Sequence, residues 1–183
     1  MFIDKVWLPA AANLISSIFF FRYAQSLHYI DSNRIAVTGV SYGAYLATLM
    51  LADTGDREHP NMLACGVAVS PVVDWRFYGN IQIYYIIYYH ILNYKCYIII
   101  NLCISYYTFS ESAYTERYMG LPLPSENFRG YQKTSLIEQC QNIEGKDYFL
   151  AHGMADRNVH FQNSMIIAKL LVNHNIPFDQ HVS

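Results

Sequence analysis

Charged residues are scarce in this chain, and neither sign dominates. They make up 14% of its 183 residues, with 12 Lys and Arg against 14 Asp and Glu. A formal net charge of −2 gives no electrostatic reason to bind nucleic acid or an anionic membrane surface. Because 53% of the residues are hydrophobic, a mostly disordered chain is also excluded, and the length suits one globular domain.

Metal-binding and targeting patterns are missing as well. The four cysteines form no CxxC pair, which disfavours a zinc site: Cys65, Cys96, Cys103 and Cys140. No basic region followed by an apolar core opens the chain, and the apolar stretch 14–21 is too short to span a bilayer. We therefore predict no metal and no cofactor, while the compartment stays open.

Short apolar runs alternate with helical patterns. Strands are predicted at 34–38, 64–69 and 147–151, with a fourth beginning near Phe178. Short strands that alternate with helices predict an α/β fold, here with a mostly parallel sheet flanked by helices.

The helices are predicted at three places: up to about His28, over 41–51, and after Val159. In the last helix, five apolar residues are expected to share one buried face: Phe161, Met165, Ile166, Leu170 and Leu171.

The segment 80–109 differs from the rest of the chain. It holds nine Ile and eight Tyr in 30 positions and a single charge, Lys95, with neither a strand nor a helix period. Polar residues interrupt every apolar window long enough to span a bilayer, although a membrane element stays one interpretation. A pair of strands is a second, and translated noncoding sequence, rich in A/T-encoded residues, is the one we favour.

A GxSxG motif follows the first predicted strand, at 39–43, and opens a helix. This strand–turn–helix setting is typical of a nucleophile elbow, in which Ser41 is held in a strained, exposed conformation. The flanking glycines are expected to let strand and helix approach closely. The N–H of Tyr42, at the helix N-terminus, would then donate to a developing oxyanion. The alternative is an ordinary Gly/Ser turn.

Asp156 lies just beyond the third predicted strand. A carboxylate there suits the acid that orients a catalytic imidazole, and Ser before Asp is the chain order of an α/β-hydrolase. The competing interpretation is that Asp156 caps the following helix.

Four stretches, 30–45, 66–75, 113–122 and 152–163, carry a family resemblance. The strings Tyr-Thr-Glu-Arg-Tyr-Met-Gly and Asn-Val-His-Phe-Gln are similar to those of the dipeptidyl peptidase IV branch of the prolyl oligopeptidase family of serine peptidases. The chain thus resembles a C-terminal piece of such a catalytic domain, a partial α/β-hydrolase fold over 30–183 behind a poorly matched segment 1–29. An insertion at about 80–111 interrupts it.

The resemblance implies an activity and a site. A serine dipeptidyl peptidase would release X-Pro or X-Ala dipeptides from peptide N-termini, with Ser41 as nucleophile and Asp156 as triad acid. Asn158 would bind the carbonyl of the substrate's second residue. The remaining positions would line an apolar pocket for proline: Val72, Trp75, Tyr78, Tyr114 and Val159.

The resemblance also implies what is expected beyond this sequence. The family's catalytic histidine would follow the last strand past Ser183, and the register of His181 does not match it, so we expect this chain to be inactive or nearly so. A β-propeller, an upstream oxyanion tyrosine and the disulfide partner of Cys65 would lie elsewhere in a longer protein. That protein is expected to be extracellular, membrane-anchored or secreted, and homodimeric.

The other histidines are expected to be structural or exposed: His28, His59, His90, His152, His160 and His174. Two further function classes stay open. They are a non-catalytic interaction module of an ectodomain and a lipase or esterase that shares only the elbow.

Overall fold

The structure is a computed structural model that describes residues 7–31, 33–53, 62–78 and 112–183. The whole segment 80–111, including its Ile/Tyr-rich part, therefore lies outside the described residues. No helix in the described ranges is long and apolar enough to cross a membrane.

The elements alternate between helix and strand. The helices are α1 (Trp7–Gln25), α2 (Tyr42–Asp53), α3 (Ser112–Met119), α4 (Phe128–Lys133) and α5 (Gln162–Asn173). The strands are β1 (Ala36–Val40), β2 (Cys65–Val69), β3 (Asp147–His152) and β4 (Asp179–Val182). Two 3₁₀ turns, Trp75–Phe77 and Cys140–Ile143, complete the described elements.

The four strands form one parallel sheet in the order β1-β2-β3-β4. Val40 is opposite Val69, and Val69 is opposite Ala151, so the first three strands end within one residue of one another. In a parallel sheet the carboxyl ends of the strands share an edge, and the loops that leave this edge carry the candidate site.

The predicted α/β class is confirmed, with shifts at the element ends. The first strand lies two residues later than predicted, because Arg34 and Ile35 precede the ladder that pairs Ala36 with Cys65. Helix α1 ends at Gln25 rather than near His28, since turn hydrogen bonds replace the helical pattern from Ser26 onward.

The predicted buried face of α5 is wrong in part. Met165 is 50% exposed and Phe161 precedes the helix. The buried face instead carries small and polar residues beside two aliphatic ones: Asn163, Ser164, Ile167, Ala168 and Leu171. Apolar periodicity alone missed this face because Asn163 and Ser164 are buried through hydrogen bonds to the loops of the site.

The core lies between the sheet and helix α2, which is buried along most of its length. Tyr45, Leu51 and Leu150 are fully buried there. By contrast, all four residues of β4 are exposed. The packed core between the sheet and α2 therefore supports the carboxyl end of β1. Ser41 lies at the junction of β1 and α2.

Candidate active site

Ser41 has a backbone conformation that side chains other than glycine rarely adopt. Its φ is +56°, in the left-handed region, where the Cβ atom crowds the backbone and costs about 1–2 kcal/mol. Its N–H donates to Val69 O at 2.9 Å, and its carbonyl accepts from Tyr45 N–H at 3.1 Å. The turn is thus fastened to β2 on one side and to α2 on the other, which holds the strained serine in place.

The close approach of strand and helix depends on Gly39. A Cβ atom built there would lie 2.1 Å from the backbone carbon and oxygen of Gly43. Gly43 itself has no atom within 4 Å of such a Cβ. The sequence argument that both glycines are sterically required is therefore right for Gly39 and wrong for Gly43, because only Gly39 faces the partner backbone.

Tyr42 is the first residue of α2. Its N–H belongs to the first turn of the helix, where N–H groups point out of the N-terminus and the helix dipole favours negative charge. The predicted oxyanion donor thus lies directly after Ser41, at the end of the helix where such a donor can act.

A second strained serine follows the neighbouring strand. Ser70 has a φ of +49° and is 9% exposed, and its N–H donates to Ala151 O at 2.8 Å. The interaction of its side chain with the carboxylate of Asp156 is one of the causes that lower the pKa of that carboxyl. Sequence analysis identified Ser70 only as a strand end, although its place after β2 matches that of Ser41 after β1.

Asp156 lies in the loop after β3 and holds that loop together. Its Oδ1 accepts from the N–H of Asn158 at 2.9 Å and of Val159 at 3.0 Å. Since α5 begins at Gln162, Asp156 caps this loop and not the helix. Burial raises the pKa of the carboxyl, but hydrogen bonds from Val159, Ser70 and Asn158 together leave the pKa below its ordinary value.

Ser41 and Asp156 are therefore linked through one residue pair. Ser41 N–H donates to Val69 O, and the next residue, Ser70, interacts through its side chain with the carboxylate of Asp156 and lowers its pKa. An ionised acid and a strained serine thus occupy the same edge of the sheet, on loops that follow β1 and β3.

His152 comes closest to Asp156 among the described ion-pair contacts, with Nε2 3.7 Å from Oδ2. Its side chain is fully buried, and both ring nitrogens are engaged, Nε2 with Val159 O at 2.8 Å and Nδ1 with Ser164 Oγ at 2.6 Å. Since a carbonyl oxygen only accepts, Nε2 carries the proton. This imidazole fastens the loop to α5, and both of its nitrogens are already engaged in these hydrogen bonds.

The other described histidines lie at the surface: His28, His160, His174 and His181. His181 lies within β4, opposite Ala151. His59 and His90 fall outside the described residues.

A cluster of aromatic rings surrounds the start of α2. Trp75, 6% exposed, lies 5.2 Å from the ring of Tyr45, 6.0 Å from that of Tyr42 and 5.6 Å from that of Tyr78. Since Tyr42 follows Ser41 directly, the predicted pocket residues Trp75 and Tyr78 are brought to the same side of the elbow.

The remaining predicted pocket residues differ in their surroundings. Val72 and Val159 are buried in the core, and Asn158 is exposed in the acid loop. Tyr114 lies on α3, but its side chain is outside the described part of the chain. Cys65 and Cys140 are both free thiols.

An ion pair with a buried carboxylate, which the sequence analysis did not identify, directly adjoins Trp75 in the chain. Asp74 is 0% exposed and bonds the guanidinium of Arg76 and the hydroxyl of Ser135. No motif marks it, because Ser135 lies 61 residues away in sequence.

Comparison with known proteins gives one family. The model of the prolyl oligopeptidase family matches residues 16–97 and 93–183, and the two matched ranges meet inside the Ile/Tyr-rich segment. The chain is 36% identical over 152 residues to venom dipeptidyl peptidase 4 of Apis mellifera, and 36% identical over 151 residues to prolyl endopeptidase FAP of Homo sapiens. These matches cover 83% and 82% of the chain but only 15% of each relative.

Solved structures agree with this result. The chain resembles the crystal structure of Porphyromonas gingivalis dipeptidyl peptidase 4 with a TM-score of 0.67 at 30% identity, over 92% of this chain and 18% of that one. A putative dipeptidyl aminopeptidase IV from Bacteroides ovatus gives a TM-score of 0.70 at 22% identity, over 95% of this chain and 19% of that one, and shows the fold alone. The fold is thus a partial α/β-hydrolase.

Proposed function

The chain belongs to the prolyl oligopeptidase family of serine peptidases, and from that premise we propose that Ser41 is the nucleophile of a dipeptidyl peptidase. The reaction would release X-Pro or X-Ala dipeptides from peptide N-termini through an acyl-enzyme. One observation carries the proposal. The strained Ser41 and the ionised Asp156 lie at one sheet edge, linked through Val69 and Ser70.

The steps follow from this geometry. Ser41 Oγ attacks the carbonyl carbon of the second residue while its proton passes to an imidazole that Asp156 orients. The negative oxygen of the tetrahedral intermediate accepts a hydrogen bond from Tyr42 N–H. Collapse expels the remaining peptide as an amine, which takes the proton from the imidazolium, and water then hydrolyses the acyl-enzyme.

The specificity proposal rests on the aromatic cluster. The rings of Trp75 and Tyr78 supply flat apolar surfaces of the kind that a pyrrolidine ring fills, with Val72 and Val159 in the core behind them. We assign Tyr114 to the same pocket by family resemblance, and Asn158 to the substrate carbonyl, which its amide N–H₂ suits. The names of the relatives, dipeptidyl peptidase and prolyl endopeptidase, support this pocket.

We infer that no described histidine supplies the general base. His152 contacts Asp156, but Ser164 and Val159 engage both of its nitrogens. Without a base the serine hydroxyl is not activated, which in the serine-protease template costs several orders of magnitude in rate. We therefore propose that this 183-residue polypeptide turns substrate over very slowly.

The cellular location and the partners are proposed for the longer protein that this chain resembles a piece of. The chain spans about 15% of the length of the curated relatives that it matches. By family resemblance we assign to that protein an extracellular location, a homodimer and a propeller domain that binds the substrate's free amine. One of the relatives is a venom protein by name, which is consistent with secretion.

Two experiments in one assay test the reaction. The purified 183-residue chain is incubated with glycyl-prolyl p-nitroanilide and with p-nitrophenyl butyrate, each with and without added imidazole. We expect amide hydrolysis close to background without imidazole and a clear increase with it, because a diffusible base can accept the proton of the Ser41 hydroxyl. The ester control separates a peptidase from a lipase or esterase.

The matched variants are Ser41→Ala and Ser70→Ala. Imidazole-dependent amide hydrolysis should vanish in the first and persist in the second. Substantial Ser41-dependent turnover without imidazole would show that this chain already holds a base. Hydrolysis of the ester alone would favour the esterase, and activity that survives Ser41→Ala would overturn the nucleophile.

A further inference from the structure

The aromatic cluster rests on a buried carboxylate that the proposed reaction does not use. Asp74 is 0% exposed and directly precedes Trp75. Its Oδ1 accepts from the backbone N–H and from Nε of Arg76, both at 2.8 Å, and its Oδ2 accepts from Ser135 Oγ at 2.8 Å. The second guanidinium nitrogen of Arg76 also bonds Oδ2.

Such a network needs an explanation other than stability. Burying a charged pair costs desolvation free energy that its attraction barely repays, so an apolar substitute of the same shape is often as stable. What a hydrogen-bonded pair does supply is a fixed geometry, because each bond restricts the direction of the groups it joins.

The geometry that Asp74 fixes is that of the aromatic wall, defined here as Trp75 and Tyr78. Asp74 caps the 3₁₀ turn Trp75–Phe77, and Tyr78 N–H closes that turn by donating to Trp75 O. The two rings are held edge to face by this turn, at 69° and with their centroids 5.6 Å apart. A change at Asp74 therefore moves both rings together.

A second segment supports the wall from behind at three consecutive residues. The carbonyl of Thr134 accepts from the Tyr45 hydroxyl at 3.0 Å, Ser135 Oγ bonds Asp74, and Leu136 N–H donates to Val73 O at 2.9 Å. The Tyr45 ring in turn packs edge to face against the indole of Trp75, with the ring centroids 5.2 Å apart. The indole is thus fixed at both its backbone and its ring.

We propose that Asp74 and Ser135 are positioning residues that set the width of the proline pocket by fixing Trp75 and Tyr78. The inference rests on the proposed function, since it presumes that this wall contacts the substrate's second residue. In this proposal, the network makes the pocket prefer a five-membered ring over larger rings. Asp74 and Ser135 themselves do not touch the substrate.

The experiment measures binding, so it does not depend on turnover by this chain. In a Trp7→Phe background Trp75 is the only tryptophan, and its fluorescence reports on the wall. The probes are glycyl-prolinamide and glycyl-pipecolinamide, which differ by one methylene in the ring. The parent chain should bind the proline probe more tightly.

Ser135→Ala removes one bond to Asp74 and should weaken the proline probe about tenfold, because side chains that are no longer fixed must be ordered when the probe binds. The six-membered probe should change little, so the selectivity ratio falls. Asp74→Asn should lower the ratio further, and if that variant does not fold, Ser135→Ala decides alone. Thr48→Val is the matched control, since it removes another buried hydroxyl, 2.9 Å from Tyr148 Oη, away from the wall.

The outcomes separate this inference from the proposed function. If Ser135→Ala weakens both probes equally, or leaves the selectivity ratio where Thr48→Val leaves it, the positioning role is overturned. If the parent chain shows no change in Trp75 fluorescence with either probe, the proline pocket itself is wrong.

Discussion

Two serines follow neighbouring strands of the sheet, and they differ in what surrounds the same backbone conformation. Ser41 and Ser70 both have a left-handed φ, +56° and +49°. Ser41 is half-buried at the start of a helix, whereas Ser70 is buried and its side chain interacts with Asp156. The same backbone conformation therefore occurs at two places on one sheet edge, and only Ser70 acts on the acid.

The largest expected effect breaks the turn that carries Ser41. Gly39→Ala places a Cβ atom 2.1 Å from the Gly43 backbone, and we expect it to destabilise the chain by at least about 3 kcal/mol or to prevent folding. The matched variant Gly43→Ala meets no atom within 4 Å and should change the free energy of unfolding by less than about 0.5 kcal/mol. Urea unfolding of both measures the difference, and equal losses would contradict the close approach at Gly39.

The next prediction tests the buried serine. Ser70→Ala removes a hydrogen bond to a charged carboxylate and should cost about 1–2 kcal/mol at pH 7. Ser70→Gly loses the same bond but relieves the left-handed strain, so it should be less costly by about 1 kcal/mol. Both variants should raise the pKa of Asp156 by the same amount. Carboxyl ¹³C NMR measures this pKa. Unequal pKa changes would show that backbone strain, not the hydroxyl, acts on the acid.

The pH dependence of the free energy of unfolding tests the same interaction between Ser70 and Asp156. The pKa of Asp156 is lowered in the folded chain, so its contribution is present above the unfolded pKa of about 3.9 and is lost as the pH falls through the folded value. The stability difference between the parent chain and Ser70→Ala should therefore shrink as the pH is lowered below about 4. A difference that is constant with pH would contradict the bond to an ionised carboxylate.

A smaller effect is expected at the nucleophile itself. Ser41→Gly relieves left-handed strain and should stabilise the chain by about 1 kcal/mol, whereas Ser41→Ala keeps the strain and should be close to neutral. Thermal unfolding of the two variants measures this. If both variants stabilise the chain, or if neither does, the left-handed backbone conformation of Ser41 is not a source of strain.

The smallest effect lies at the far end of the helix that Ser41 precedes. Lys146 Nζ donates to Leu51 O at 2.5 Å, and burial lowers the pKa of Lys146 to about 8, partly offset by Asp53. Because the unfolded chain binds this proton more tightly, stability should rise slightly with pH between about 8 and about 10.4. Lys146→Met should abolish that rise, and a rise that persists would assign it to another group.

The sequence alone predicts the local structure around only one of the two serines. The GxSxG spacing predicts the strand–turn–helix around Ser41, because a tight turn leaves a local mark in the glycine that it requires. Ser70 carries no such mark, since its role arises from a contact with Asp156, 86 positions later in the chain. The Asp74–Ser135 bond was missed for the same reason, as pairing between distant segments has no period or spacing to read.

Element boundaries show the same limit. Alternating apolar runs predict that β1 exists, but its ends are set by pairing with β2 and lie two residues later than predicted. The buried face of α5 includes Asn163 and Ser164, which hydrophobicity assigns to the surface. Local propensity determined which elements form, and hydrogen bonds to other segments determined where they end and which face they bury.

The most direct test of the central claim compares the two serines chemically. The 183-residue chain is treated with a glycyl-prolyl diphenyl phosphonate in the presence of imidazole, and the modified peptide is mapped by mass spectrometry. We predict an adduct on Ser41 that is absent from Ser70 and is lost in Asp156→Ala. An adduct on Ser70, or none on Ser41 while other serines react, would contradict the assignment of Ser41 as nucleophile.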